Sequence, residues 1–187
     1  MKKIRGTPSP PPRAHCATFG RSTKEERTKI LRRPHEAASA RVDDLTAAMV
    51  EEYGGVVRFA GLIVQTGVNA FLAAEQAIEE LPWTRNWGQT TVTLEPVGVA
   101  GLITAWNANA LFICLKLASA VAAGCTVVIK PSEMSSLQTR VMIEALHEAN
   151  LPKGLLRVSR KHNRNLHAVH SVRGDAEIVS TSSTCVR

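Results

Sequence analysis

The fold can be predicted from residues 94–133, LEPVGVAGLITAWNANALFICLKLASAVAAGCTVVIKPSE. Val97, Val99, Leu102 and Ile103 are typical of an interior strand, because β-branched and apolar side chains pack well on a pleated surface. The almost continuously apolar run 110–123 predicts a buried helix, and Gly124 is expected to end it. The β-branched run 126–129 predicts a second strand.

This strand–helix–strand order with short connections predicts a βαβ unit, in which the two strands are parallel and the crossover is right-handed. Ligands of such sheets bind just beyond the carboxyl ends of the strands. Two polar clusters follow the two strands, Trp106-Asn107 and Lys130-Pro131-Ser132-Glu133. We therefore expect both clusters at one edge of the sheet.

The segments EPVGVAGLITAWN and KLASAVAAGCTVVIKPSE resemble the aldehyde dehydrogenase family, in the first half of its dinucleotide-binding domain. The resemblance extends more loosely from Phe19 to Val158, well under half of a full-length member. It implies an α/β fold, a partial Rossmann-like aldehyde dehydrogenase N-terminal domain with preceding helices.

The composition divides the chain into three parts. Residues 1–18 are proline-rich and basic, which predicts a disordered N-terminus. Residues 19–158 hold the family-like helices and the first part of the dinucleotide-binding domain. Residues 159–187 change character abruptly and are interpreted as a degenerate basic tail, in which the original reading frame was lost.

Three finer expectations concern the region before the βαβ unit. Pro34 falls inside an apolar stripe of helical spacing, and it should kink that helix or split it in two. A further helix is expected from about Val57 to Leu81. Residues 82–88 are expected to form a turn that holds Trp83 and Trp87.

Asn107 is the first candidate site residue. The family resemblance implies that its side-chain amide donates to the oxyanion formed when a thiolate attacks an aldehyde, and a rigid neutral N–H donor suits that task. From the pattern alone, a cap of the following helix is the favoured role of Asn107, and only the family resemblance reverses that preference. Ala105 and Ala108-Asn109 stand where the family has proline and Phe-Pro, which predicts a looser loop.

Lys130, Ser132 and Glu133 are the second candidate group. The resemblance implies that Lys130 and Glu133 bind the adenosine ribose hydroxyls of NAD or NADP, and that Ser132 influences whether a 2′-phosphate is accepted. It also implies contacts to the cofactor from the main chain of Ile103, Thr104 and Ala105 and from Trp106. The alternative for the lysine and glutamate is a solvated turn after a strand.

The family's nucleophilic cysteine and its glutamate base lie in Gly-Gln-x-Cys and Glu-Leu-Gly-Gly motifs, and neither motif occurs in these 187 residues. Cys125 is interpreted as structural. The expectation is therefore an aldehyde dehydrogenase-like protein that is an inactive fragment by itself, whose intact ancestor oxidised an aldehyde. The alternative is a non-catalytic interaction module, which pairs with a paralogue, a second copy or an acidic partner through its basic ends.

The net charge of +7 comes from the two ends of the chain, while the part between them is acidic. No aromatic residues alternate with the arginines of the tail, which argues against nucleic-acid binding. His162, His167, His170 and Cys185 match no usual zinc spacing, so no metal is expected. Cysteines without a CxxC pair, the lack of a signal-like N-terminus and the lack of a membrane-length apolar stretch predict a cytoplasmic protein.

Overall fold

The computed structural model describes residues 12–159 and 176–178. Its elements are α1 Pro12–Phe19, α2 Lys24–Ser39, α3 Val42–Tyr53, α4 Val57–Glu80, β1 Thr84–Trp87, β2 Thr90–Thr93, β3 Val99–Ile103, α5 Asn109–Ala122, β4 Thr126–Lys130, α6 Ser136–Glu148, β5 Leu156–Val158 and β6 Ala176–Ile178. The main sheet has the order β5-β4-β3-β6, and all of its pairings are parallel. The predicted α/β fold and its central βαβ unit, β3–α5–β4, are confirmed.

The helix α2 shows that the expectation for Pro34 was wrong. Thr23 and Glu26 form a reciprocal capping box at its start, and the helix then continues through Pro34 as far as Ser39. Pro34 is buried on the same face as Leu31 and Ala38. This burial compensates for the hydrogen bond that proline cannot make, so the break falls at Ala40-Arg41 instead.

The segment predicted as a turn, residues 82–88, contains a strand. β1 pairs antiparallel with β2, with Trp87 opposite Thr90, and Gly88 turns between them at a φ of 62°. A two-residue loop with a left-handed glycine matches the twist of a hairpin. The helix that precedes it, α4, ends at Glu80, as predicted to within one residue.

The expected disorder of residues 1–18 is wrong at least for residues 12–18. These residues lie in α1, which contacts β4 and β3. The His15 ring lies directly on Gly154, where an added Cβ would be only 1.8 Å from His15 Cδ2. Packing of this kind stabilises a helix too short to be stable alone.

The C-terminal segment, which was interpreted as a degenerate tail, contributes a strand to the main sheet. Residues 176–178 form β6, which pairs with β3 from Val99↔Ala176 to Gly101↔Ile178. The histidines at 162, 167 and 170 and the cysteine at 185 lie outside the described residues.

The core lies between the sheet and the helices, and α4 and α5 form its largest helix–helix contact. The prediction that no stretch reaches membrane-spanning length was wrong for α4, which is long and apolar enough by length and composition. In this fold α4 packs on α2, α3 and α5, and Phe71, Val68 and Ile78 are buried. A core helix passes the same test of length and composition as a membrane span.

Candidate functional site

The two polar clusters do lie at one edge of the sheet. β3 and β4 are parallel neighbours whose last residues, Ile103 and Lys130, are register partners. The Thr104 N–H donates to the Lys130 carbonyl at 3.3 Å, which extends the pairing one step beyond the strands. The loop after β3, residues 104–108, and the loop after β4, residues 131–135, therefore leave the sheet side by side. We call this the carboxyl edge.

Asn107 lies half-buried in the first of these loops. The interpretation of Asn107 as a helix cap is wrong, because α5 begins at Asn109 with Ala108 in the cap position and without a side-chain cap bond. No residue in the described part of the chain makes a hydrogen bond to the Asn107 amide. The neighbouring Trp106 is 41% exposed and meets the Tyr53 ring edge-on, with centroids 5.5 Å apart. The amide thus keeps its donors available.

Lys130 and Glu133 form an ion pair in the second loop. Lys130 Nζ lies 3.2 Å from Glu133 Oε1, and it also donates to the Pro131 carbonyl at 3.0 Å. The glutamate side chain is 43% exposed, whereas that of the lysine is 17% exposed. Ser132 Oγ accepts from the Met134 N–H at 3.3 Å. The loop therefore presents a donor and an acceptor side by side at a surface that solvent reaches.

Some of the main-chain groups that were expected to contact a cofactor already form hydrogen bonds within the protein. The Thr104 N–H is bonded to Lys130, as described above, and the Ile103 carbonyl accepts from Lys116 Nζ at 2.6 Å. Thr104 is buried, while Ile103 and Ala105 are exposed. Of these three residues, Ile103 and Ala105 are the ones with exposed surface at the edge.

Lys116 was not among the site residues expected from the sequence. It lies on α5 and is 8% exposed, and burial lowers the pKa of its ammonium group. Its hydrogen bond to Ile103 ties the middle of α5 to the end of β3. A charged group on an otherwise apolar helix is the signal that could have found it.

A second group of residues was missed altogether. Asn109 is fully buried, and its amide is hydrogen-bonded to Thr104, Ser135 and Thr139. The expectation of a loose loop is therefore wrong at this end, because these hydrogen bonds hold the start of α5. In the sequence, Asn109 differs from the family's proline, but no nearby residue indicates which groups it would hydrogen-bond.

Two of the three cysteines in the described residues, Cys114 and Cys125, are buried and lie in the core or away from this edge. Cys125 immediately precedes β4 and so lies at the opposite, amino end of that strand, where burial raises the pKa of its thiol. Burial raises the pKa of Cys114 on α5 to about 12. Neither thiol is placed or ionised as a nucleophile for the carboxyl edge. Among the described residues there is also no cluster of three or more His, Cys, Asp or Glu side chains able to hold a metal ion.

A parallel sheet with helices packed on it and polar loops at its carboxyl edge defines the class of α/β nucleotide-binding domains. The model of the aldehyde dehydrogenase family matches residues 13–181, and the chain belongs to that family. The match reaches beyond Val158, where the resemblance in the sequence had ended, and it includes β6. It does not favour the alternative of an interaction module.

The proteins that are similar in sequence to this chain support its assignment to the family. The chain is 31% identical over 169 residues to 3-succinoylsemialdehyde-pyridine dehydrogenase of a Pseudomonas species, which covers 89% of this chain and 35% of the relative. It is 35% identical over 138 residues to a putative aldehyde dehydrogenase of Staphylococcus epidermidis, covering 73% of this chain and 29% of that protein. The chain thus spans about a third of the length of these relatives.

Solved structures show the same relationship. A mutant of aldehyde dehydrogenase C from Pseudomonas syringae, in complex with NAD+ and octanal, is 30% identical, with a TM-score of 0.79 over 89% of this chain and 35% of that one. An aldehyde dehydrogenase from Bartonella henselae is 27% identical, with a TM-score of 0.79 over 89% of this chain and 36% of that one. The fold is therefore that of the NAD-binding domain of aldehyde dehydrogenases.

Proposed function

We propose that this chain supplies the ribose-binding edge of an NAD(P) site and one oxyanion donor for the oxidation of an aldehyde. The observation that carries the proposal is the register of Ile103 with Lys130, which brings the Asn107 loop and the Lys130–Glu133 pair to one edge. The NAD+ complex of the relative from Pseudomonas syringae supports the choice of ligand.

The residues at the edge fit a ribose diol. Glu133 offers carboxylate oxygens to two vicinal hydroxyl donors, and Lys130 offers an ammonium donor to their oxygens. The carboxylate repels a 2′-phosphate, so it favours NAD over NADP, while the neighbouring lysine reduces that preference. Bound NAD+ would accept the hydride of the aldehyde.

Asn107 would act at the reacting carbonyl. Its amide has no hydrogen-bond partner among the described residues, and it belongs to a loop that is held at its C-terminal end by Asn109. A neutral donor held in this way stabilises negative charge that develops on the aldehyde oxygen. This role needs a nucleophile that the two buried thiols Cys114 and Cys125 do not provide.

We therefore propose that the 187-residue polypeptide binds the nucleotide but does not oxidise aldehydes alone. We also propose that it works in a reducing compartment such as the cytoplasm, which the free, buried thiols Cys114 and Cys125 support. Pairing with a second copy stays a prediction.

Calorimetric titration of the purified chain with NAD+ and NADP+ tests the proposal. We expect saturable binding of NAD+, weaker binding of NADP+, and loss of NAD+ binding in Glu133→Gln and Lys130→Met. Glu79→Gln removes an exposed carboxylate on α4 and is the matched control, which should bind like wild type. Wild-type protein that is folded and does not bind NAD+ would refute the proposed site, and NADH production from an added aldehyde would refute the proposed inactivity.

A further inference from the structure

Asn109 connects the two loops of the carboxyl edge. Its Oδ1 accepts from Thr104 Oγ1 at 2.5 Å, at the start of the first loop. Its Nδ2 donates to Thr139 Oγ1 at 2.6 Å and to the Ser135 carbonyl at 3.4 Å, at the end of the second loop and the start of α6. Because Asn109 has no exposed surface, water cannot replace these bonds.

Glu52, at the end of α3, holds the other side of the same region. Its carboxylate accepts from the Ser135 hydroxyl at 3.0 Å, from the Leu137 N–H, and from the Gln138 N–H and Nε2, both at 3.2 Å. A carboxylate is well placed here because the first N–H groups of a helix lack partners within the helix and carry partial positive charge.

Gln138 joins these two sets of hydrogen bonds. Glu52 fixes its Nε2, and the opposite atom of the same amide, Oε1, accepts from the Ala110 N–H at 3.3 Å. Gln138 is fully buried. A continuous hydrogen-bonded path therefore runs from α3 through the start of α6 to the start of α5, directly beside the Asn107 loop.

We propose that Asn109 and Glu52 are positioning residues that hold the two loops of the carboxyl edge in one preformed surface. We call their network the edge lock, and it consists of Glu52, Thr104, Asn109, Ser135, Gln138 and Thr139. Its consequence for binding rests on the proposed function. Prolines would restrict the 104–108 loop by fixing the backbone angle φ. In this chain the hydrogen bonds of the edge lock restrict the loop instead, because they join it to buried groups.

A preformed edge binds its ligand more tightly, because the loops are ordered before the ligand arrives. Hydrogen bonds to a charged group contribute enough that loss of the lock should weaken nucleotide binding by about tenfold or more. Loss of a hydrogen bond at either Glu52 or Asn109 should loosen both loops, although Glu52 itself belongs to neither loop.

The test compares Glu52→Gln, Asn109→Ala and the near-isosteric Thr139→Val with wild type, each at a temperature where its circular dichroism shows it folded. Hydrogen exchange followed by mass spectrometry reports the opening of residues 103–110 and 131–138, and calorimetry reports the Kd for NAD+. We expect faster exchange in both segments in Glu52→Gln and in Thr139→Val, and a rise in Kd of about tenfold.

Arg27→Gln is the matched control. Arg27 is also buried and donates to the Ala122 carbonyl at the end of α5 and to the Gly20 carbonyl in the turn after α1, but it lies near the amino end of β4. The Arg27→Gln variant should be less stable than wild type, but its hydrogen exchange at residues 103–110 and its Kd for NAD+ should be unchanged.

Two results would overturn the edge lock. One is unchanged exchange of residues 103–110 in both Glu52→Gln and Thr139→Val. The other is faster exchange together with an unchanged Kd, which would make the network purely structural. If wild type does not bind NAD+, the proposed function fails, and the exchange measurement alone then decides whether the lock couples the two loops.

Discussion

The helices α4 and α5 pack closely at Gly67, and replacement of this glycine by alanine tests how tightly the core is packed. A Cβ built on Gly67 would lie 2.8 Å from the Leu111 Cα, which is a backbone atom of α5 and cannot rotate away. Gly61 lies in the same helix, but a Cβ there would meet only the Thr46 side chain, at 3.9 Å. The two glycines form a matched pair.

The expected magnitudes follow from two opposing effects. Alanine favours a helix over glycine by about 1 kcal/mol at either position. Forcing a methyl group against the backbone of a packed neighbour costs about 1–3 kcal/mol. Because the gain in helix propensity is common to both variants, Gly67→Ala should be less stable than Gly61→Ala by about 1–3 kcal/mol. Gly61→Ala itself should be more stable than wild type.

Urea unfolding followed by circular dichroism measures this difference. In a chain of this size, each kcal/mol of this difference lowers the Tm of Gly67→Ala by about 2–4 °C relative to Gly61→Ala. A difference below about 0.5 kcal/mol between the two variants would show that α4 and α5 can separate at little cost, and the described packing would then be refuted.

Two further predictions concern stability. Since burial raises the pKa of Cys114 from 9.0 to about 12, the folded state keeps a proton that the unfolded state loses. Stability should therefore be independent of this thiol below about pH 9 and should fall above it, by about 4 kcal/mol up to pH 12. Cys114→Ala should remove that part of the slope, and an unchanged slope would contradict the assignment. Thr23→Ala should cost about 1 kcal/mol in urea unfolding, because the capping box of α2 is lost; a change below about 0.3 kcal/mol would mean that Glu26 alone caps the helix.

Much of the fold was readable in the sequence because its causes are local. The apolar run of α5, the glycine that ends it at a φ of 80° and the β-branched run of β4 each determine their own element. Strand, helix and strand in that order then leave a parallel, right-handed unit as the expected solution. The juxtaposition of the two polar clusters follows from this topology alone.

The errors arose where packing overrides local preference. Pro34 is tolerated because its face of α2 is buried, and α1 forms because it packs on the sheet. The strand β1 depends on its pairing with the threonines of β2. In each case a contact distant from the residue decides its conformation, and propensity is too weak to oppose it.

The family, the central βαβ unit and the position of the two polar clusters at its carboxyl edge can all be read from the order of the amino acids. The contacts that hold this edge become visible only in the folded chain, and they involve Asn109, the buried Lys116 and Glu52, which is 85 residues from its partner Leu137 at the start of α6. The physical reason is that hydrophobic periodicity repeats along the chain and can be read from it. A hydrogen bond between two distant polar side chains leaves no repeat, and it exists only once the fold has buried both groups together.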